Sequence, residues 1–328
     1  MFENKTILIT GGTGSWGYEL TKLLLLKNIK KIIIFSRGEL AQVNMERHFK
    51  RKEIEYVIGD IRDKEAVDFV MSKNIDMVIH LAALKHVPIC ENYPQEAIKT
   101  NILGTTNLVD AAIKYKVKKF IDVSTDKAVS PNNLYGYTKA IGEKIVIQAN
   151  NLTYNTDFAC VRGGNVLGSN GSVVPLVIDQ IKKYNTITIT DNSMTRFFLT
   201  LREAILLLFQ AIENSYGGEI FVMNMPSFYI TDIAEVLIKK YGDENTTIKE
   251  VGIRAGEKID EILISEHESS RSYVFNKNFF IILPELNLNR LCGDYNKTLE
   301  KVNFKKFVSS TNIKPLKSID KLLAKGGY

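Results

Sequence analysis

Cysteine is scarce in this chain: Cys90, Cys160 and Cys292 are the three in 328 residues, an odd count with no CxxC pair. That argues against a disulfide framework and against a thiolate metal centre. The four histidines show no metal-ligand spacing with the acidic residues, so no metal is expected. Long apolar runs are also missing. The longest, 23–26 and 204–209, fall far short of the about 20 residues that span a bilayer. Residue 1 leads directly into a strand-like segment, without room for a signal peptide. Neither sign of charge dominates, since 43 Lys and Arg against 37 Asp and Glu give +6 at pH 7. The densest positive cluster, Lys116, Lys118 and Lys119, reads as a solvated face, not a nucleic-acid stripe. A cytoplasmic protein with no nucleic-acid or membrane partner is expected. The mild positive excess suits an anionic ligand such as a nucleotide.

What is present is a globular composition, 45% hydrophobic and 24% charged. Strand-like runs at 5–10, 31–36, 54–58, 77–81, 119–123 and 158–162 alternate with amphipathic helices near 40–50, 64–72, 97–114 and 134–150. That alternation predicts an α/β fold with a parallel sheet covered on both faces. After residue 165 the rhythm changes to helix 175–183, strand 186–190, helix 201–214, strand 219–223 and helix 231–241. The expected organisation is a doubly wound sheet domain over 1–165, carrying the nucleotide site and a catalytic helix. A smaller C-terminal substrate-binding lobe follows over 166–328, with 185–190 and 219–223 as candidates to return to the main sheet. Beyond residue 268 the pattern reads as irregular.

Gly11-Gly12-Thr13-Gly14-Ser15-Trp16-Gly17 lies between the first strand and the first helix. One glycine turns the chain, one admits a pyrophosphate to the backbone, and one lets helix and strand pack closely. This is the fingerprint of a Rossmann-type dinucleotide site. The second strand ends in Ser36-Arg37, not in the acidic residue that would accept hydrogen bonds from an NAD ribose. Arg37 suits a 2′-phosphate, so NADP is expected in preference to NAD. Asp60, ending the third strand, suits adenine recognition.

Ser124-Thr125-Asp126-Lys127 follows the fifth strand, and Tyr135 opens the next helix with Lys139 four residues on. At that spacing the two share a helix face, and a cationic Lys139 favours the Tyr135 phenolate as a proton acceptor in hydride transfer. Tyr137 lacks such a partner, because residue 141 is Ile.

Further segments carry a resemblance. They are His80-Leu81-Ala82-Ala83-Leu84-Lys85-His86-Val87-Pro88, Lys99-Thr100-Asn101, Gly164-Asn165-Val166, Gly171-Ser172-Val173-Val174-Pro175, Thr190-Asp191, Met194-Thr195-Arg196-Phe197 and Gly252-Ile253-Arg254-Ala255-Gly256-Glu257-Lys258. Over roughly residues 3–265 the chain resembles the extended short-chain dehydrogenase/reductases that modify nucleotide sugars. More closely, it is similar to the inverting UDP-N-acetylglucosamine 4,6-dehydratases of pseudaminic acid, legionaminic acid and polysaccharide pathways.

The resemblance implies that bound NADP⁺ oxidises the sugar C4 hydroxyl, with Tyr135 taking the proton. Water then leaves across C5 and C6, and the hydride returns to C6. Lys127 stands where retaining relatives carry a glutamate, and is the expected C5 base if its pKa is lowered. Asp126 is the expected acid at C6, with Thr125 beside it. Ile61, Ala82 and Ala83 are implied in cofactor binding. Lys85, Asn165, Val173 and Thr190 are implied in sugar or phosphate contacts, Arg196 and Arg254 in binding the diphosphate, and Glu257 in binding a ribose. His86 is expected to line the pocket as a structural hydrogen-bonder.

UDP-linked N-acetylglucosamine is the expected substrate, with the GDP-linked sugar as the alternative. Inversion at C5 is expected. A homo-oligomer, a dimer or larger, is implied through helices flanking the central region. The family usually carries an aromatic residue where this chain has Gly163. Two other readings stand beside the dehydratase: a nucleotide-sugar 4-epimerase, which needs Tyr135 and Lys139 but not the Asp126–Lys127 pair, and a non-catalytic NADP-binding scaffold.

Overall fold

A computed structural model describes residues 1–169, 171–285 and 298–328. Cys292 lies outside them. The parallel strands are β1 (Thr6–Thr10), β2 (Lys31–Ser36), β3 (Ile54–Ile58), β4 (Met77–His80), β5 (Lys119–Thr125), β6 (Asp157–Gly163) and β10 (Ile220–Met223). They run in the spatial order β3-β2-β1-β4-β5-β6-β10. β1 and β4 are apolar and buried on both faces, as a sheet covered by helices on both sides requires. The covering helices include α1 (Ser15–Leu24), α2 (Glu39–Phe49), α3 (Lys64–Met71), α6 (Gly104–Lys114), α7 (Leu134–Gln148) and α9 (Leu201–Asn214). The expected α/β, Rossmann-type doubly wound sheet is present.

In the second half one expectation holds and two need correction. Segment 219–223 joins the main sheet as β10, parallel to β6. Segment 185–190 does not: β8 (Thr186–Ile189) pairs with β12 (Thr247–Glu250) in a separate two-stranded sheet. The tail read as irregular supplies β14 (Ser272–Asn276) and β15 (Phe279–Ile282), which extend the main sheet antiparallel from β10. Antiparallel edge strands need only their immediate neighbour, so no helical crossover announces them in the sequence.

A second apolar core gathers Val174, Val177 and Ile181 from α8 (Val173–Tyr184), Phe198 from β9 (Thr195–Thr200), and Ile233 and Leu237 from α10 (Ile230–Tyr241). Ile319, Leu322 and Leu323 of the last helix, α12 (Lys317–Lys325), close it. Arg162, at the end of β6, ties this half to the first. It donates to both oxygens of Glu143 on α7 at 2.8 and 2.7 Å, to Glu268 at 2.7 Å and to the Leu263 carbonyl at 3.1 Å.

The helix expected over 97–114 is divided. α5 (Pro94–Ile98) passes into a π turn, Lys99–Leu103, before α6 begins. The wider turn suits buried Asn101, whose amide bonds both backbone groups of Leu84, at 2.8 and 2.9 Å, and Thr138 at 2.9 Å. The chain after β4 is thereby pinned to α7.

Candidate active site

The turn after β1 is built where no side chain fits. Gly11 has a φ of +65°, and a Cβ there would lie 2.8 Å from the backbone of Ala82. A Cβ on Gly17 would lie 1.9 Å from the Gly12 carbonyl oxygen, so α1 seats directly on the turn. Its N-cap, Gly14, supplies no side-chain cap, and the first helical turn carries no acid. No side chain therefore competes with an anion for the positive end of the helix dipole.

They border a cleft of about 690 Å³ past the carboxyl ends of the parallel strands. Gly11, Thr13, Gly14, Ser15, Trp16, Ser36, Arg37, Asp60, Ile61, Ala82 and Ala83 line it. Gly17 does not, because it serves the packing of α1. The indole of Trp16 stands in front of Gly163, 3.9 Å from where a Cβ would be. An aromatic ring thus occupies the space beside Gly163 although residue 163 carries none.

At the far end of the cleft Asp60 is already engaged. Arg62 donates its backbone N–H at 2.9 Å and its Nε at 2.8 Å, and Arg37 Nη1 lies 3.8 Å away. Burial works to raise the Asp60 carboxyl, yet these contacts hold it below its ordinary value. Gln42 of α2 donates to the Ser36 carbonyl and hydroxyl and to the Val57 carbonyl, fixing the ends of β2 and β3.

At the near end, β5 runs into a 3₁₀ turn, Asp126–Ala128, and Asn133 caps α7 by accepting from the Gly136 N–H at 2.8 Å. A Cβ on Gly136 would lie 2.3 Å from the Lys127 carbonyl oxygen. This contact brings Tyr135 and Lys127 to one wall of the cleft, which both line together with Thr125. Asp126 is buried immediately behind, accepting from Thr125 Oγ1 at 2.9 Å and from Lys127 Nζ at 3.0 Å.

The two lysines of the site act differently. Lys139 is buried behind Tyr135 with its ammonium 3.1 Å from each oxygen of buried Asp122. Burial pushes the Tyr135 phenol up, and Lys139, Lys127 and the Thr125 hydrogen bond do not overcome it. Lys139 thus acts on the phenol in the expected direction, against the rise that burial and Asp126 impose. At Lys127 the expected lowering needs correction. Burial works against its charge, but Asp126 and Glu261, the latter 3.4 Å away, hold its ammonium above the ordinary lysine value.

Of the residues expected to meet substrate, Lys85, Asn165 and Val173 line the cleft, as does His86. Thr190, Arg196, Arg254 and Glu257 are not among the lining residues. Thr190 donates to the Met194 sulfur at 3.4 Å. The Arg196 guanidinium is turned to backbone, donating to the carbonyls of Thr195 at 2.7 Å, Ile259 at 2.9 Å and Lys258 at 2.8 Å. It is not a free fork for a diphosphate. Arg254 is exposed and its N–H donates to Glu257 at 3.2 Å, so this pair closes a surface turn.

Comparison with known proteins decides the lineage. Residues 7–283 match the profile of a family described as polysaccharide biosynthesis protein. The chain belongs to that family. It is 47% identical over 291 residues to an inverting UDP-N-acetylglucosamine 4,6-dehydratase from Campylobacter jejuni, covering 87% of this chain and 85% of the relative. It is also 42% identical over 295 residues to a UDP-glucose 4-epimerase from Rickettsia canadensis, covering 88% and 86%. Among solved structures, Pen from Bacillus thuringiensis superposes with a TM-score of 0.93 at 38% identity, over 100% of this chain and 99% of that one. The fold is also that of DesIV, a dTDP-glucose 4,6-dehydratase from Streptomyces venezuelae, with a TM-score of 0.71 at 21% identity over 77% and 86%. The chain is therefore a member of the inverting 4,6-dehydratase family anticipated from its motifs.

In this family member, sequence reasoning missed Asp122, Glu261, Arg62 and Gln42. Asp122 left a trace, a carboxylate inside the otherwise apolar run of β5. Glu261 left none, since acids are ordinary between loop and strand. Among the described residues no group of His, Cys, Asp and Glu is placed to hold a metal ion, and no helix is long and apolar enough to cross a membrane.

His80 lies beneath this wall, bonded to Thr10 at 2.7 Å and Thr105 at 3.0 Å. Burial pulls it down from 6.5 to about 4, against the opposing pull of Asp122. Between those two values the unfolded chain binds a proton that the folded one refuses, so stability is lost as pH falls through that window. His80→Gln should flatten the loss by about 3 kcal/mol, measured as urea midpoints from neutral to acid pH. Parallel curves for the two proteins would sink this assignment.

Proposed function

We propose that the protein is an NADP-dependent 4,6-dehydratase of UDP-linked N-acetylglucosamine, producing a 4-keto-6-deoxy sugar with inversion at C5. The observation that carries the reading is the shared cleft. The glycine turn, Tyr135, Thr125 and Lys127 line one cavity, with Asp126 directly behind Lys127. The relatives named as dehydratases support it.

The residues present fit a dinucleotide. The Gly11 turn admits backbone approach, the α1 N-terminus carries no side-chain cap or acid to compete with a phosphate, and Arg37 lines the cleft and could meet a 2′-phosphate. Bound there, a nicotinamide would supply the hydride exchange that the reaction needs at sugar C4 and C6. Tyr135 receives the C4 hydroxyl proton, and the Thr125 hydroxyl, bonded to both Tyr135 and Asp126, links phenol to acid. Once C4 is a ketone the C5 hydrogen is acidic. Lys127 removes it while Asp126 protonates the departing C6 hydroxyl. Lys85 and Asn165 line the same cleft and can hold sugar or phosphate oxygens. We also read the chain as a homo-oligomer. Leu103, Tyr137 and Ile141 expose apolar surface on the π turn and on α7.

A second reading, 4-epimerisation, is favoured by the epimerase-named relatives. Incubation with UDP-N-acetylglucosamine separates the two, since dehydration gives a product lighter by one water and epimerisation leaves the mass unchanged. In deuterated water, NMR of the product reads the C5 configuration, and the GDP-linked sugar should react more slowly. Lys127→Ala should stop elimination after C4 oxidation, seen as enzyme-bound reduced cofactor; full turnover in that variant would remove Lys127 from the mechanism. Arg37→Ala should weaken NADP more than NAD, and equal weakening would refute the 2′-phosphate contact. Sedimentation should show more than one chain per particle, and a monomer would dismiss the pairing surface.

A further inference from the structure

We infer that Glu261 is the positioning residue that readies Lys127 as a base, by accepting its proton and leaving a neutral amine toward the sugar. The inference rests on the dehydratase reading. It starts from a conflict in the site, because Lys127 is needed as a base yet sits as an ammonium between two carboxylates. Its Nζ lies 3.0 Å from Asp126 Oδ1 and 3.4 Å from Glu261 Oε1. A group beside it must take the proton.

Glu261 is placed for that. Its side chain is 3% exposed, and its backbone N–H donates to Ser309 Oγ at 2.9 Å just before β13 (Ile262–Ile264). Its Oε2 is buried and accepts no hydrogen bond. A buried carboxylate oxygen without a donor disfavours the anion and leaves room for a proton. The charged groups around it are Lys127 and Asp126 from the turn after β5, Arg196 of β9 with Nε at 3.6 Å, and Lys258 from its own segment. Burial first, then Asp126, push the Glu261 carboxyl up, in agreement with the geometry.

The proton inventory closes without an outside reactant. The Lys127 Nζ–H bond breaks and the proton passes to Glu261, which leaves the net charge of the pair unchanged. The freed lone pair takes the C5 hydrogen as a proton, and the C5–H electrons enter a C5–C6 double bond. The C4 hydroxyl proton taken by Tyr135 passes through Thr125 to Asp126, the C6–O bond breaks as Asp126 delivers that proton, and water leaves. Lys127 then passes the C5 proton to Asp126, whose Oδ2 is also buried without a partner, Asp126 returns it to C5 as the hydride reaches C6, and Lys127 recovers its own proton from Glu261.

The test is the pH dependence of single-turnover elimination with UDP-N-acetylglucosamine in wild type, Glu261→Gln, Glu261→Asp and Lys127→Ala. A transfer inside the Lys127–Glu261 pair takes no proton from solvent, so wild type should eliminate at a rate independent of pH between neutrality and the lysine range. Glu261→Gln should keep C4 oxidation, and its elimination at neutral pH should fall about 10²-fold. In that variant elimination should rise about tenfold per pH unit, since Lys127 must then lose its proton to water. Glu261→Asp should restore a level profile. A wild-type profile that climbs like that of Glu261→Gln overturns the inference, and needs no variant to fold. So does a Glu261→Gln enzyme with wild-type rate and profile. Elimination at wild-type rate in Lys127→Ala instead brings down the base assignment beneath it.

Discussion

An ammonium group inside a protein stays charged only beside a carboxylate, and that constraint organises the whole reaction end of this cleft. Lys139 meets it with Asp122, and Lys127 with Asp126 and Glu261. Each pairing changes what its lysine can do. Asp122 keeps Lys139 charged behind Tyr135, where the ammonium works against the rise that burial imposes on the phenol. The two carboxylates at Lys127 keep it from being a ready-made base. The site therefore holds its charges in adjacent pairs, and on the mechanism proposed above chemistry begins with a proton moving between neighbours.

Backbone contacts decide which groups become neighbours. Gly136 lets the first turn of α7 rest against the Lys127 carbonyl, and Asn133 caps that turn, so Tyr135 and Lys127 reach one wall. On the opposite wall Gly11 and Gly17 let α1 descend onto the first strand. The π turn at 99–103 turns Asn101 onto Leu84 and holds the strip that carries Ala82, Ala83 and Lys85. Close approach between main chains, more than any single side chain, shapes the cavity.

Relatives named as dehydratases and as 4-epimerases share this frame at comparable identity. Oxidation at C4 is common to both reactions and needs only the Tyr135 end of the wall. What separates them is whether a second proton-handling pair reaches C5 and C6, the role proposed above for Asp126 and Lys127. Trp16 adds a local feature, an indole set against the bare Gly163 that changes the cleft wall without closing it.

The parallel-sheet alternation, the glycine turn and the Tyr135–Lys139 spacing are local patterns. Short-range periodicity and turn geometry determine them, so the linear chain alone identified the fold and most of the residues that line one end of the cleft. Local pattern misjudged what depends on distant segments. Arg196 reads as a phosphate fork until the carbonyls of Ile259 and Lys258 are seen to occupy it. The strands after residue 268 join the main sheet through an antiparallel neighbour. Asp122 and Lys139 are separated by an intervening turn, and Lys127 and Glu261 by half the second lobe. Whether those charges offset each other was decided only when folding brought them within a few ångströms in a dry interior, because electrostatic coupling follows distance and burial and not position along the chain.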